Sequence, residues 1–468
     1  MREPLKAGRR LYTIPPSAPF LTTLARAILA GDLPLPGGPK PDPLTLPFTT
    51  IYLPTRRAAR ALREAFLAEA KAEALLLPRI RALGDPDEEA ALILGAGSGA
   101  DEDGGAGAPA IGGIKRRLAL MKLVLAWARR LREDFLAAPD DFLPAQWIAT
   151  PAQASHLAAD LARLMDLIES EEISRVEIER LTPPEMAVHW EQTVDFLRIV
   201  TEHWPDYLAD NDLLSPVARR NFLMRLETER LAKGSAHTVI AAGSTGTVPS
   251  TARLLEVIAS LPNGAVVLPG LDRSLDEEDW ASLAKHHEHP QAGMAKLLRK
   301  LGVARDEVAY VPGSEPNAIH RARLALVSEA LRPAESTERW QKFLAADDLL
   351  SDGRASFANG LAGIRLVVAP TAHDEAEAIA LVLKSCIETP GKTAALVTPD
   401  RVLARRVAAR LKRYDLAIDD SAGVPVARTV PGAFLDLVLG AAEANFAPPA
   451  LMALLKHPLT LLGRSPFA

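Results

Sequence analysis

The stretch from Arg10 to Ala30 constrains this chain most. Arg10-Leu11-Tyr12-Thr13-Ile14 reads as a short strand, Pro15-Pro16-Ser17-Ala18-Pro19 as a turn, and Phe20 to Ala30 as a helix. A strand feeding a helix through a tight turn predicts α/β layering. The same order carries the phosphate loop of a nucleotide-binding site. Such a loop needs glycines that let backbone N–H groups close on the phosphates, a lysine for the β/γ oxygens and a Ser/Thr for Mg²⁺. Pro15 and Pro16 have no N–H to offer, and the turn holds neither glycine nor lysine. If this is a nucleotide site, Pro15, Pro16 and Ser17 make it a degenerate one; otherwise it is simply the first strand and helix of an α/β domain.

The next segment repeats the pattern. Thr49-Thr50-Ile51-Tyr52-Leu53 predicts a strand closed by Pro54, and Thr55 is placed to cap a helix bearing Ala58, Leu62, Ala65 and Phe66 at helical spacing. A parallel βαβα order follows. Ligands of such sheets sit beyond the carboxyl ends of the strands, where Pro54-Thr55-Arg56-Arg57 would lie. A helix N-terminus with adjacent arginines suits a phosphate from a nucleotide or a DNA backbone; a solvated arginine face fits the segment equally well. Leu75 to Arg81 predicts a further strand. Eight glycines between Gly95 and Gly113 predict a linker or disordered insertion.

From Lys115 to Lys233 the pattern is helical throughout. Leu118, Met121, Leu125 and Ala128 form one expected stripe; Leu157, Leu161, Leu164 and Ile168 a second; Met186, Trp190, Val194 and Leu197 a third; Phe222, Leu226 and Leu231 a looser fourth. The first of these helices is basic through Lys115, Arg116, Arg117, Lys122, Arg129, Arg130 and Arg132, which suits either solubility or DNA contact. Trp127, Trp147, Trp190 and Trp204 fit a helical core better than a base-stacking platform.

α/β texture then returns. His237 to Ala242 predicts a buried strand, Thr251 to Ser260 a helix and Ala265 to Leu268 the next strand. In an ATPase of this architecture the first of these strands would end in carboxylates for Mg²⁺ and water; here Ala242-Gly243-Ser244 stands in their place. His286-His287-Glu288-His289 predicts a polar loop, since neighbouring side chains do not converge on a metal. Beyond Ile364, strands are expected at Arg365–Pro370, Thr393–Val397 and Leu416–Ser421, with helices at Asp374–Ile387 and Arg401–Arg413. Gly391-Lys392-Thr393 fails as a phosphate loop, because Cys386 occupies its first glycine position and the triplet enters a strand.

Composition narrows the class. A single cysteine, Cys386, excludes intrachain disulfides and any four-cysteine metal or iron–sulfur site in this chain. No apolar run reaches the ~20 residues of a membrane span, and Met1-Arg2-Glu3-Pro4 is not the start of a signal peptide, so a cytoplasmic protein is expected. A net charge of −5 does not advertise nucleic-acid binding, although a basic groove can hide in an acidic shell.

Several of these motifs together resemble AddB, a subunit family of the bacterial AddAB helicase–nucleases that resect DNA double-strand breaks, in its alphaproteobacterial form. The residues are Tyr12-Thr13-Ile14-Pro15-Pro16-Ser17-Ala18-Pro19-Phe20, Leu53-Pro54-Thr55-Arg56-Arg57-Ala58-Ala59-Arg60-Ala61-Leu62, Ala241-Ala242-Gly243-Ser244-Thr245-Gly246, Val266-Val267-Leu268-Pro269-Gly270-Leu271-Asp272 and Ile418-Asp419-Asp420-Ser421-Ala422-Gly423. The resemblance implies superfamily 1 helicase-like, RecA-like parallel-sheet domains with an inserted all-helical subdomain and a degenerate ATP site. Its layout would be residues 1–94 and 235–345 as the two parts of the first RecA-like domain, 95–114 as a Gly-rich linker, 115–234 as the helical insertion, and 346–468 as the start of a second domain, truncated.

It further implies an ATPase-inactive, DNA-guiding and scanning subunit without catalytic residues. DNA contacts are expected at Thr55, Arg56, Arg57, Arg60, Ser244 and Thr245. The partners would be an AddA-like helicase–nuclease subunit and single- and double-stranded DNA. No metal or other cofactor is expected in this chain; ATP and Mg²⁺ would belong to the partner, and the iron–sulfur cluster and nuclease to a C-terminal region of the family. Two other readings stand beside this one. An autonomous ATP-dependent DNA helicase would hydrolyse ATP alone, and a protein–protein scaffold would give no crosslinks to DNA.

Overall fold

The computed structural model describes residues 10–70, 75–83, 108–137, 150–174, 177, 196, 198–341, 357–421 and 423–461. They fall into two units, Met1–Ala362 and Gly363–Ala468.

The first unit is built on a six-stranded, all-parallel sheet of order β3-β2-β4-β5-β1-β6. Its strands are β1 (Leu11–Ile14), β2 (Thr50–Leu53), β3 (Arg79–Ala82), β4 (Val239–Ala242), β5 (Gly264–Pro269) and β6 (Ala309–Tyr310). The four residues of β1, β2 and β4 are buried throughout, as expected of strands covered by helices on both faces. Helices α1 (Phe20–Ala30) and α2 (Arg56–Ala70) lie on one face. There Leu24, Ile28, Leu62 and Phe66 pack with Tyr12, Ile14, Ile51, Leu53, Ile240 and Val267.

The alternate side chains Leu11, Tyr52, Val239, Ala241, Val266 and Leu268 point to the other face, where the core includes Leu254, Leu255 and Ile258. These come from α7 (Pro249–Ser260). The two-residue alternation of the strands thus feeds two separate cores. β6, only two residues long, has no counterpart in the sequence reading; too short to show a period, it is held by pairing to Tyr12 and Thr13 of β1.

Between β3 and β4 the described residues are helical apart from their turns. These helices are α3 (Gly113–Ala137), α4 (Pro151–Ser170), a π-turn at Ile199–His203 running into α5 (Trp204–Asp210), and α6 (Pro216–Ala232). α4 starts with a complete capping box, Thr150 with Gln153. Their core sets Leu120, Val124, Ala154, Ala158, Leu161, Met165 and Trp204 together.

The apolar stripes differ from the expected ones. On α3 the buried positions are Arg116, Ala119, Leu120 and Val124, while Leu118 is 49% exposed; on α4 Leu164 is 41% exposed and Met165 takes its place inside. Leucines occur on several sides of α3, so helical period alone does not choose the face. Arg116 settles it by turning inward to Asp166 at 2.8 Å. On α6 the buried side chains are Val217, Leu223, Met224 and Leu231, and Phe222 instead lies beneath the guanidinium groups of Arg219 and Arg225. Trp204 is core, stacked on Tyr207, and Trp127 lies edge-on to Phe196. The stripe from Met186 to Leu197, Trp147, Trp190 and the glycine-rich stretch 95–107 lie outside the described residues.

The remainder of the first unit comprises α8 (Glu277–Ser282), α9 (Ala292–Leu301), α10 (Ala318–Ala330) and α11 (Phe357–Leu361). His286 to Pro290 form a polar turn in which His289 Nε2 lies 2.9 Å from the Leu331 carbonyl oxygen and His286 meets Glu335 at 3.2 Å. Among the described residues no group of three or more His, Cys, Asp or Glu side chains could hold a metal ion.

The second unit contains α12 (Ala372–Ile387), α13 (Arg401–Leu411), α14 (Val430–Glu443) and α15 (Pro448–Leu455). α12 and α13 pack through Ala376, Ala380, Leu383, Val407 and Leu411. The strands expected at 365–370, 393–397 and 416–421 are not formed. Those segments run without ladder pairing, and Leu366, Val368 and Val397 are 85–93% exposed. A β-rich sequence becomes a strand only when a second backbone supplies its hydrogen bonds.

Candidate nucleic-acid interface

The order of the strands decides where a ligand can sit. The chain leaves β2 toward β3 on one side and leaves β4 toward β5 on the other, although β2 and β4 are neighbours. Helices α2 and α7 accordingly pack on opposite faces. The loops that follow β2 and β4 therefore run to opposite faces, the topological switch point whose crevice parallel α/β sheets use for ligands. Pro54-Thr55-Arg56-Arg57 follows β2 on one side of it and Gly243-Ser244-Thr245 follows β4 on the other.

Each side is fixed by local chemistry. Thr55 caps α2, its Oγ1 accepting the Ala58 N–H at 3.1 Å and its carbonyl accepting the Ala59 N–H at 3.0 Å. This sets the first turn of α2, which has no acid, at the crevice, with Arg56, Arg57 and Arg60 exposed. Arg56 and Arg57 also interact within the protein.

On the opposite side Gly243 turns left-handed (φ 76°) and donates its N–H to Val267 at 2.9 Å. A Cβ there would stand 3.4 Å from Pro54 Cδ and 3.5 Å from Phe20 Cε1. The exits of β2 and β4 and the start of α1 therefore meet at this glycine. Ser244 Oγ accepts the Gly246 N–H at 3.3 Å, and the Thr245 and Thr247 hydroxyls are 2.8 Å apart. Each keeps further hydrogen-bonding capacity, since a hydroxyl offers one donor and two lone pairs.

The proline turn lies two strands away, with β5 between β4 and β1, or roughly 10 Å at ordinary strand spacing. Its Ala18 N–H closes on the Pro15 carbonyl at 3.0 Å. With three prolines lacking N–H groups, Ser17 keeps the one amide of the turn not spent in closing it. Gly270, at the exit of β5, packs on Pro16: a Cβ there would be 3.1 Å from Pro16 Cγ.

From Ile14 to Phe20, Leu53 to Arg57 and Ala242 to Thr247 there is no carboxylate. The charge of this edge is that of Arg56 and Arg57, reinforced by the α2 N-terminus. It can hold an anion; the nearest acid in sequence to the exits of β1, β2, β4 and β5 is Asp272, beyond the end of β5.

Two residues that shape this edge have no signal in the sequence. Thr13, fully buried, donates to the Leu268 carbonyl at 3.2 Å and accepts the Leu271 N–H at 3.1 Å, tying β1 to the exit of β5. Gln291 bridges the same exit, donating to the Gly270 carbonyl and accepting the Asp272 N–H, both at 3.0 Å. Only the folded neighbourhood reveals either role.

One further cluster ties the helical segment to the sheet. The Tyr52 hydroxyl of β2 donates to Glu227 of α6, whose carboxylate also meets Arg81 at 3.2 Å and Arg230 at 2.7 Å. Burial raises the Tyr52 phenol well above its usual pKa, and the Glu227 charge adds to this. Burial alone would push the Glu227 carboxyl up. The hydrogen bonds from Arg230 and Tyr52, with the charges of Arg230 and Arg81, outweigh it and hold the carboxyl below its ordinary value.

No family model matches this chain, and no curated protein matches it. Among the described residues no helix is long and apolar enough to cross a membrane.

Proposed function

We propose that this chain is a helicase-like, non-catalytic DNA-guiding subunit of a helicase–nuclease that processes DNA double-strand breaks. The observation that carries the reading is the pairing at one sheet edge of a cationic switch-point crevice with a proline-filled turn. A strand backbone laid across the carboxyl ends of β2 and β4 would meet Arg56, Arg57 and Arg60 through its phosphates. Ser244 and Thr245 would hydrogen-bond phosphate or sugar from the other side.

The degenerate phosphate loop and the missing carboxylates support leaving ATP hydrolysis to a partner, an AddA-like motor subunit that carries ATP and Mg²⁺. On this reading the chain works in the cytoplasm, and the iron–sulfur cluster and nuclease chemistry lie outside it. The RecA-like assignment rests on the parallel sheet with helices on both faces and on the motifs from Tyr12 to Phe20 and Leu53 to Leu62.

The test is end-binding of labelled DNA by the complex with its motor partner across a salt series. Arg56→Ala/Arg57→Ala should weaken binding and make log K against log salt shallower by about 1.5, the loss of two phosphate contacts. An unchanged slope removes the claim for these arginines. ATP hydrolysis by the isolated chain, abolished by substitution at Ser17, would favour an autonomous helicase instead.

A further inference from the structure

The second unit carries a charged surface that the reading above does not use. α13 and the turn that follows it hold Arg401, Arg405, Arg406, Arg410, Lys412 and Arg413 with no acid from 401 to 413. The core side of this helix is set by Leu403, Val407 and Leu411 against α12. At 100° per residue Arg401, Arg405 and Arg406 fall on the opposite half of the helix, with Val402 and Ala409 between them; Arg410 lies at the margin of the core side, and Lys412 and Arg413 follow in the 3-10 turn Lys412–Tyr414. Asp400 is spent as the N-cap, accepting the Val402 N–H at 2.7 Å.

The ion pairs divide these cations into two groups. Arg401 is held by Asp420 at 3.0 Å and Arg410 by Glu377 at 3.4 Å. Arg405, Arg406, Lys412 and Arg413 are exposed and have no carboxylate partner among the described residues. Arg405 turns its Nε back to the Arg401 carbonyl at 3.1 Å, which leaves its terminal nitrogens for another acceptor.

Beside this face lies a groove of about 450 Å³, walled by Thr371, Ala372 and His373 at the start of α12 and by Arg406, Ala409 and Arg410. Ala409 gives the groove its depth, because a larger side chain there would fill it. Arg410 reaches across, its Nη2 2.5 Å from His373 Nδ1, and so rims the groove with a second guanidinium. The nearest acid of the α12 first turn, Asp374, is engaged with the Thr371 hydroxyl at 2.7 Å.

We propose that the basic face of α13, with this groove, binds the phosphate backbone of a DNA strand as a contact independent of the switch-point crevice; the proposal rests on the DNA reading above. From Arg401 to Arg413 the face is ~18 Å long at 1.5 Å per residue. That matches about five nucleotides at 3.4 Å each. Its composition selects the occupant. Val402 is the single exposed large apolar residue on the face, so there is nothing to insert into a lipid surface. The rings nearest these cations are already engaged, Tyr414 donating its hydroxyl to Glu377 and lying under Lys384, and His373 lying against Arg410, so contact falls on phosphates and is independent of sequence.

The experiment uses the full chain, a labelled DNA single strand and a salt series. Arg405→Ala/Arg406→Ala/Arg413→Ala should weaken binding at least tenfold at low salt and make the salt slope shallower by about 2, three contacts at ~0.7 each. The corresponding lysine variant should keep the slope, because a point charge suffices for a phosphate. All three side chains are exposed, and an unchanged melting temperature shows that the alanine variant is folded.

If the alanine variant binds DNA with the wild-type slope while Arg56→Ala/Arg57→Ala does not, the α13 site is wrong and the DNA reading survives. If the wild-type chain binds no DNA, both are wrong. Loss of binding by the alanine variant to phosphatidylserine vesicles, with DNA binding intact, would assign the face to a membrane and overturn the proposal.

Discussion

Gly243 shows how one residue can hold a site together without touching a ligand. Its φ of 76° lies where an L side chain is strained, and its neighbours Pro54 and Phe20 belong to the other two loops of the crevice. A methyl group there would make only ordinary contacts, so the cost of Gly243→Ala is conformational, about 1 kcal/mol. Hydrogen exchange at the amides of Ser244 to Thr247 should accelerate roughly fivefold; unchanged protection would contradict the strain argument.

At the level of elements, α8 and α10 are joined by charge. Arg332, 6% exposed at its side chain, lies between Asp276 at 2.8 Å, Asp279 and Glu329, and Arg339 adds a second guanidinium to Asp276 at 2.7 Å. Arg332→Ala strands Asp279, whose side chain is 5% exposed, without its main counter-ion. Removing one partner of such a pair costs about 3 kcal/mol. Amides of Glu277–Ser282 and Ala318–Ala330 should exchange about a hundredfold faster, and a change below fivefold would show that the cluster is ornamental.

The same scale explains which elements were legible. β1, α1, β2 and β5 lie within a residue or two of their sequence assignments, because each is bounded by proline or glycine and carries an uninterrupted apolar face. The expected strands at 365–370, 393–397 and 416–421 had equally good local composition and did not form ladders. Strand propensity is a statement about a partner that local sequence does not contain.

For the whole molecule, the carboxylates predict the response to acid. Asp276, like Glu227, is buried enough to be pushed up, yet the bonds from Arg332, the Asp279 N–H and Arg339 hold its pKa well below the usual range. Groups with depressed folded pKa values contribute stability that is present above their unfolded value, about 4, and lost as pH falls through the folded value. Glu169 has the opposite sign. Burial raises its carboxyl despite the Ser215 hydrogen bond, so its contribution is fully present below pH ~4 and fades as pH rises. Melting temperature should therefore fall below pH 4, and Glu227→Gln should flatten that fall; a parallel curve for the variant would remove Glu227 from the explanation.

The sequence by itself determined the alternation of strand and helix, the cap at Thr55, and the absence of glycine, lysine and acid where phosphate chemistry would need them. These are properties of a few adjacent residues, and backbone sterics and hydrogen-bonding capacity settle them locally. Only the tertiary structure decided that β2 and β4 are neighbours, although 185 residues separate Leu53 from Val239 in the chain, and that the loops following them run to opposite faces of the sheet. It also decided that Arg116 turns inward while four cations on α13 and its following turn have no carboxylate partner among the described residues. Strand order and charge pairing depend on contacts between residues distant in sequence, which local sequence patterns do not specify.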